Sequence, residues 1–553
     1  MPRPPGYDGG MSELEFRFAS RRAPVYARHG VVAASQPLAA QAGLEVLRGG
    51  GNAADAAVAT AAALAVIEPT GTGIGGDCFA LFFDAATKQV HAVNGSGRSP
   101  AALDLDLLTR EGLRHSLPRH HVHNVTVPGT IRGWADTLER HGSMPLGDVL
   151  RGAITLAEEG APISPIIAYL WDIEAEKVAA ASPNGGELLL DGRAPRAGEV
   201  WINPGLASVL REVAEGGPGA FSEGRAAQAI FEVVGQLGGV MALEDLAAHR
   251  STFEPPISTS YRGHTIFECP PNGQGLAALL ALGVAERFDV GALPRGSTER
   301  LHLLIEAVRM GFADARAHVA DLAHSDVPVE RLLSDDHANG LAARFDPAAR
   351  IDVTPGVELA VGSDTVYLSV VDGAGNACSF INSNYNGTGT GIVPRGCGFP
   401  LQNRGAGFSH EEGHPNALAP RKRPYHTIIP AMSTDANGDL HACYGVMGGW
   451  MQPQGHLQVT VAMLDDGLDP QQALDELRFC ISTDPPNGTV MLEEGLPAAT
   501  IRGLQQRGHP VEVVTGTRRP SVFGKGQIIV RDPRTGVLTA GSDPRADGVA
   551  AAY

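Results

Sequence analysis

The chain has no surplus of positive charge, no paired cysteines and no long apolar run. Its 43 Lys and Arg stand against 61 Asp and Glu, a formal net charge of -18. That sign opposes any affinity built on neutralising phosphates, which argues against nucleic acid and anionic membrane surfaces as partners. Cys78, Cys269, Cys378, Cys397, Cys443 and Cys480 are scattered, with no C-x-x-C pair and no His-Cys metal spacing. They read as reduced structural thiols, in keeping with how often cysteine is buried. The longest largely apolar run, Ala56 to Ile67 interrupted only by Thr60, falls short of the roughly 20 residues that a spanning helix needs. The opening MPRPPGYDGGMSELEFRFASRRAP holds no apolar h-region and no small-residue cleavage site. No secretory signal is read there, and a soluble, cytoplasmic protein is expected.

Phosphate loops and metal frames are missing too. The glycine-rich runs GTGIGGD (71–77) and NGTGTGIVPRG (386–396) are not G-x-G-x-x-G between a strand and a helix, and no G-K-[ST] follows either. His115, His120, His121 and His123 are crowded but lack an H-E-x-x-H frame, so neither metal nor cofactor is expected. No repeat or linker divides the chain. What is present is an ordinary globular balance, 43% apolar and 19% charged.

Coarse patterning places the elements. Two Ala- and Leu-rich helices flank Gly49–Gly51, with Asn52 as N-cap of the second and Pro69 after its end. A hairpin is expected to turn near Ala85–Thr87. Helix dominates from Pro128 to Asp289, apart from a mixed stretch around SYRGHTIFECPPNGQG. A long, half-buried helix is expected over Ser297–His324, with Leu301, Leu304, Ile305 and Val308 on one face. The texture then changes: Asp352–Gly362 reads as a loop, and TVYLSVVD (365–372), GAGN and ACSFINSN (377–384) read as a β-hairpin that begins at Thr365.

A threonine opening a strand is by itself unremarkable. If the Asp364–Thr365 bond is cut, however, Thr365 gains an α-amino group, with a reference pKa of about 7.7–8.0, beside its own hydroxyl. One residue then carries both nucleophile and base. The same hydroxyl could attack the preceding carbonyl, so the cut requires no outside protease. Further on, Gly448 and Gly449 in GVMGGW could bring bare backbone N–H groups to an oxyanion, although a glycine pair also makes an ordinary tight turn.

Five blocks in order carry a resemblance: GGNAADAAVATAAALAVIEPTGTGIGGD, VPGTIRGWADTLERHGSMPLGDVL, LHLLIEAVRMGFADARAHVAD, DTVYLSVVDGAGNACSF and SDPRADGVAAAY. From about Gly30 to Tyr553 the chain resembles the γ-glutamyltransferase (glutathione hydrolase) family of N-terminal nucleophile hydrolases. The resemblance implies an α+β fold, a four-layer αββα sandwich. It also implies self-cleavage into residues 1–364, mostly helical with part of the sheet, and 365–553, which carries the nucleophile. The pieces would form a heterodimer, or a dimer of such heterodimers, acting on a small amide. Carried over by position, Thr365 is the nucleophile, Ser383 the hydroxyl that bonds it, and Gly448 and Gly449 the oxyanion glycines. His426 and Thr427 stand where a serine pair contacts the substrate carboxylate.

The family's γ-glutamyl clamps are not kept. Ser96 stands in the place of a carboxylate-binding arginine, with Arg98 the nearest one. The stretch that usually carries two acids reads LQNRGAGF, so Ala406 and Gly407 replace them, while Asn403 is kept and Arg404 adds a positive charge; Tyr385 replaces an asparagine. A buried ammonium with no carboxylate to meet it is heavily penalised, so γ-glutamyl recognition is expected to be weakened, altered or lost. Arg98 and Arg404 would suit a carboxylate lacking a neighbouring amine, since guanidinium forks match carboxylates. The wording resembles the family's transferase-like branch, which includes oxamate amidohydrolase and glutaryl-type acylases. An unprocessed binding protein on the same fold is the rival from another class; a nucleotide-binding protein would need a phosphate loop that the sequence does not supply.

Overall fold

The structure, a computed structural model, describes residues 22–115, 117–352, 365–482 and 488–553. Two antiparallel sheets lie at its centre. One has six strands, in the spatial order Val549–Ala552, Gly30–Ala34, Val366–Asp372, Ala377–Ser383, Asp77–Asp84 and Gln89–Asn94. The other has seven: Val25–Ala27, Leu538–Ser542, Lys525–Arg531, Leu440–Met447, Ala431–Thr434, His264–Glu268 and Ile257–Tyr261. Each sheet takes strands from both sides of residue 365, so neither side completes a sheet alone.

Strand alternation assigns the layers. Val31 and Ala33 join Phe79, Leu81, Tyr367, Val371 and Ile381 in an apolar cluster shared with Met432, Cys443, Met447 and Ile529 of the seven-stranded sheet. The alternate residues Val32, Ala34, Ala80, Phe82, Leu368, Val370 and Phe380 face the other way, onto helices Pro37–Arg48, Ala53–Ile67 and Leu146–Glu159. Beyond the second sheet, Ile266, Ala442, Tyr444, Val446 and Ile528 pack on helices Gly275–Ala285, Thr298–His318 and Met451–Leu464. Helices therefore cover both outer faces of two stacked sheets, the expected αββα order.

Local chemistry explains the individual elements. Asn52 caps Ala53–Ile67 by accepting from the Ala54 and Asp55 amides while the Asp55 carboxylate returns to the Asn52 amide. Every residue of this helix is buried, because a helix that is apolar on all sides needs neighbours on all sides. Gly275–Ala285 behaves likewise. No helix among the described residues is long and apolar enough to cross a membrane. The mixed stretch at 260–275 supplies the edge hairpin Ile257–Tyr261 with His264–Glu268, turned on Arg262 (φ 47°) and Gly263 (φ 77°).

One expectation needs correcting. The helix capped by Ser297 ends at His318 rather than His324, and it is wholly buried along Arg300–Phe312 instead of half-buried. Packing against Gly275–Ala285 on one side and other helices on the next covers faces that the spacing of apolar residues left polar. All six cysteines are free and buried.

Candidate active site

The hairpin Val366–Asp372/Ala377–Ser383 lies in the middle of the six-stranded sheet, and its register pairs Val366 with Asn382. The start of the first strand therefore meets the end of the second, which brings Thr365 Oγ1 within 3.0 Å of Ser383 Oγ. Both residues are buried. The Ser383 oxygen also accepts from the Tyr385 amide (2.8 Å) and from Arg404 Nη2 (3.2 Å). A hydroxyl has two lone pairs and one proton, so Ser383 can accept from these donors while also sharing a hydrogen bond with Thr365, in which either hydroxyl can be the donor. Tyr385 holds this arrangement from a strained backbone, φ 83° without being glycine.

The run at 71–77 packs against Thr365 and Ser383. A methyl on Gly71 would stand 3.3 Å from the Thr365 nitrogen, and one on Gly76 would stand 2.2 Å from the Ser383 carbonyl oxygen. The second approach is open to glycine alone, and the first is tight for any side chain. Asn384 fastens the run, donating through its amide to Gly71 O and through Nδ2 to Thr72 O.

Gly448 (φ 134°) and Gly449 (φ 55°) follow strand Leu440–Met447 and precede helix Met451–Leu464. The Gly448 angle suits glycine alone, and the Gly449 angle lies in the left-handed region that favours it. Gln274 fixes the turn by donating to Gly449 O (2.8 Å) and Thr427 O (2.6 Å). Among the described residues no hydrogen bond uses the Gly448 or Gly449 amide. These are donors at the positive end of a fourteen-residue helix, a setting that favours negative charge.

Arg404 is fully buried. Nη1 donates to Thr427 Oγ1 (2.7 Å), Nη2 to Ser383, and the guanidinium lies over the Tyr385 ring at 4.2 Å from its centroid. Nε has no partner among the described residues, and no carboxylate lies within ion-pair distance there. Burial pulls this arginine down to about 10, against the opposing pull of Tyr385 and Asp77.

His426 and Thr427 have separate parts. His426 Nε2 donates to Asp77 Oδ2 (3.0 Å), while Nδ1 accepts from the Ile428 amide (3.4 Å). Both ring nitrogens are thus spent within the protein. Thr427 directs its hydroxyl at Arg404. Asp77 collects four donors: His426, the Gly97 and Gly129 amides, and Gln402 Nε2. Burial nevertheless pushes its carboxyl up to about 6, against the pull of Arg404.

The structure gathers Thr365, Ser383, Tyr385, Arg404 and Thr427 into one network, with His426 behind it. Asn403 is adjacent: Oδ1 accepts from the Asn386 amide and Nδ2 donates to Arg119 O. Arg98 is not gathered in; it donates to Arg250 O and stands with other arginines near His249. Asp364 lies outside the described residues. Sequence reading missed Asp77, Gln402 and Gln274; the one available signal was an acid closing a glycine-rich run, which must find donors if buried. Of the crowded histidines, His120 contacts Gly389 O and His123 contacts Glu111. A different group, His302, Glu306 and His509, has metal-ligand types in reach of one another. Several of its atoms are engaged, the two rings with each other at 2.7 Å and the Glu306 carboxylate with Arg309 at 3.0 Å, while His509 Nδ1 has no hydrogen-bond partner among the described residues.

Known proteins bear on this site. The family described as Gamma-glutamyltranspeptidase matches residues 39–553. The chain is 39% identical to a glutathione hydrolase-like proenzyme (YwrD) of Bacillus subtilis, over 93% of this chain and 96% of that one. It is 33% identical to an oxamate amidohydrolase proenzyme of Klebsiella pneumoniae, over 95% and 98%. Among solved structures it is similar to a cephalosporin acylase from Bacillus halodurans, with a TM-score of 0.91 and 42% identity, covering 99% of each chain.

Proposed function

The chain belongs to the γ-glutamyltranspeptidase family, a self-processing amidohydrolase family, and from that premise we propose that it is cut after Asp364 and hydrolyses amides whose acyl part carries a carboxylate but no ammonium. The observation that carries this reading is Arg404: a buried guanidinium one hydroxyl removed from Thr365 Oγ1, with no carboxylate of its own among the described residues.

In the precursor, Thr365 Oγ attacks the Asp364 carbonyl carbon, the peptide C–N bond breaks, and the acyl group moves from nitrogen to oxygen. Water then hydrolyses the ester, which releases the Asp364 carboxylate and leaves Thr365 with a free hydroxyl and a free amine. In the mature enzyme that amine takes the hydroxyl proton as Oγ attacks the substrate amide. The oxyanion settles on the Gly448 and Gly449 amides. The leaving amine receives the proton, and water attacks the acyl ester to regenerate Thr365. Arg404 receives the acyl carboxylate, and Thr427 and Tyr385 hold the guanidinium flat for a two-point contact. A γ-glutamyl ammonium would instead meet a buried cation where Ala406 and Gly407 offer it no acid.

Denaturing electrophoresis should show two pieces of about two thirds and one third of the 57.7 kDa chain, and Thr365→Ala should leave one band and no turnover. Offered side by side, a glutaryl amide and oxamate should be hydrolysed in preference to glutathione. Efficient glutamate release from glutathione would overturn the carboxylate-only reading.

A further inference from the structure

A second cationic pocket lies away from the nucleophile, where the loop after helix Leu243–Ala248 meets helix Thr130–His141. A cavity of about 60 Å³ is lined there by Arg132, His249, Arg250, Phe221, Ser222 and Pro128, among others. His249 is 94% buried, being 6% exposed, yet neither ring nitrogen has a partner among the described residues, and Arg132 Nε is equally unpartnered. The charges of Arg423, Arg98, Arg250 and Arg132 all act on this imidazole, and together with burial they keep it neutral.

The nearby acids apart from Glu223, which is exposed to solvent, are otherwise engaged. Asp136 and Glu139 meet Arg132 through its terminal nitrogen, Glu254 accepts from Thr252, and Asp321 accepts from the Arg423 amide. Glu223 lines the cavity. An arginine is donor only, and a neutral imidazole carries one N–H and one bare acceptor nitrogen, so the His249 N–H and Arg132 Nε call for an acceptor while the other His249 nitrogen can take a hydroxyl proton of the same ligand or a water, and burying the donors without a partner is costly. A cavity of this size exceeds the space that one water requires.

We propose that the His249 cavity binds a small oxyanion, a carboxylate or phosphate group, held by the His249 N–H and Arg132 Nε and drawn in by Arg98 and Arg250. Arg423 couples the pocket to the catalytic side, since it donates to Arg250 O and Thr252 Oγ1 on one flank and to Ser96 O and Asn94 O on the other. Ser96 precedes Gly97, whose amide serves Asp77. The site is independent of the Thr365 reading.

Inorganic phosphate and acetate, titrated separately by calorimetry and by thermal unfolding, test this, with ionic strength held by a bulky sulfonate too large for the cavity. Saturable heat and a saturable rise in the unfolding midpoint are expected with at least one of them, and the response should be lost in Arg132→Met and in His249→Leu. Arg132 is partly exposed, so its variant should fold even where His249→Leu does not. No saturable response in the unaltered protein would overturn the proposal, as would an undiminished response in Arg132→Met. A response to phosphate but not acetate assigns the site to tetrahedral oxyanions, and the reverse to carboxylates.

Discussion

Two buried arginine clusters in this protein are treated in opposite ways. Arg545 and Arg478 are almost completely enclosed, and carboxylates meet them directly: Arg545 Nε lies 2.9 Å from Glu493 and Nη1 3.1 Å from Asp543, and Arg478 Nη2 lies 2.7 Å from Asp543. Arg519 adds a second guanidinium to Glu493 at 2.6 Å. Arg404 is as deeply enclosed, but its described partners are two hydroxyls and an aromatic face. An ion buried without a counter-ion is destabilising, so the first cluster is complete as folded, whereas the second is complete only when something anionic arrives. On the proposed function, the difference separates a charge that holds the fold from one that is to receive substrate.

Substitution should expose that difference. The largest effect is expected for Arg545→Met, which takes from Glu493 and Asp543 one of the two guanidinium groups that each of them meets; losing two charge-assisted contacts should lower stability by about 3–5 kcal/mol, read from denaturant unfolding. Arg404→Met should behave in reverse, with stability unchanged or slightly raised. Its kcat/KM on a carboxylate-bearing acyl donor should fall roughly 30- to 160-fold, the worth of a charge-assisted contact of about 2–3 kcal/mol. A neutral acyl donor should feel little. If Arg404→Met unfolds the protein as Arg545→Met does, the contrast fails.

The smallest effect sharpens the second cluster. All four partners of Asp77 are donors, so a proton on this carboxyl must displace one of them and loosen His426 and the adjacent Thr427. With the carboxyl pushed up to about 6, kcat/KM should decline several-fold as pH falls through 6, and Asp77→Asn should flatten that limb. The sign for stability is opposite. A folded pKa of about 6 lies above the ordinary 3.8, so this group favours the folded chain below about pH 4 and that contribution is lost as pH rises through 6. Acid unfolding should therefore not originate here.

Much of the fold was legible because it rests on local rules. Asn52 followed by an unbroken apolar segment specifies a capped, enclosed helix, and the alternation in TVYLSVVD and ACSFINSN specifies a hairpin whose two ends meet. From that hairpin alone Thr365 and Ser383 become neighbours. The burial of helix Thr298–His318 was not legible, because packing partners from distant segments decide which faces see solvent.

The site divides along the same line. Sequence by itself singled out Thr365 as the proposed nucleophile, the glycine pair ahead of a helix and the absence of acids at 406 and 407, since each depends on residue type at a fixed place in a short motif. Only the tertiary structure decided that Arg404 faces Ser383 while Arg98 turns away to Arg250, and that His426 spends both nitrogens on Asp77 and Ile428. Those outcomes depend on hydrogen bonds between segments that can be hundreds of residues apart. Nothing in the local chain states which donor will find which acceptor.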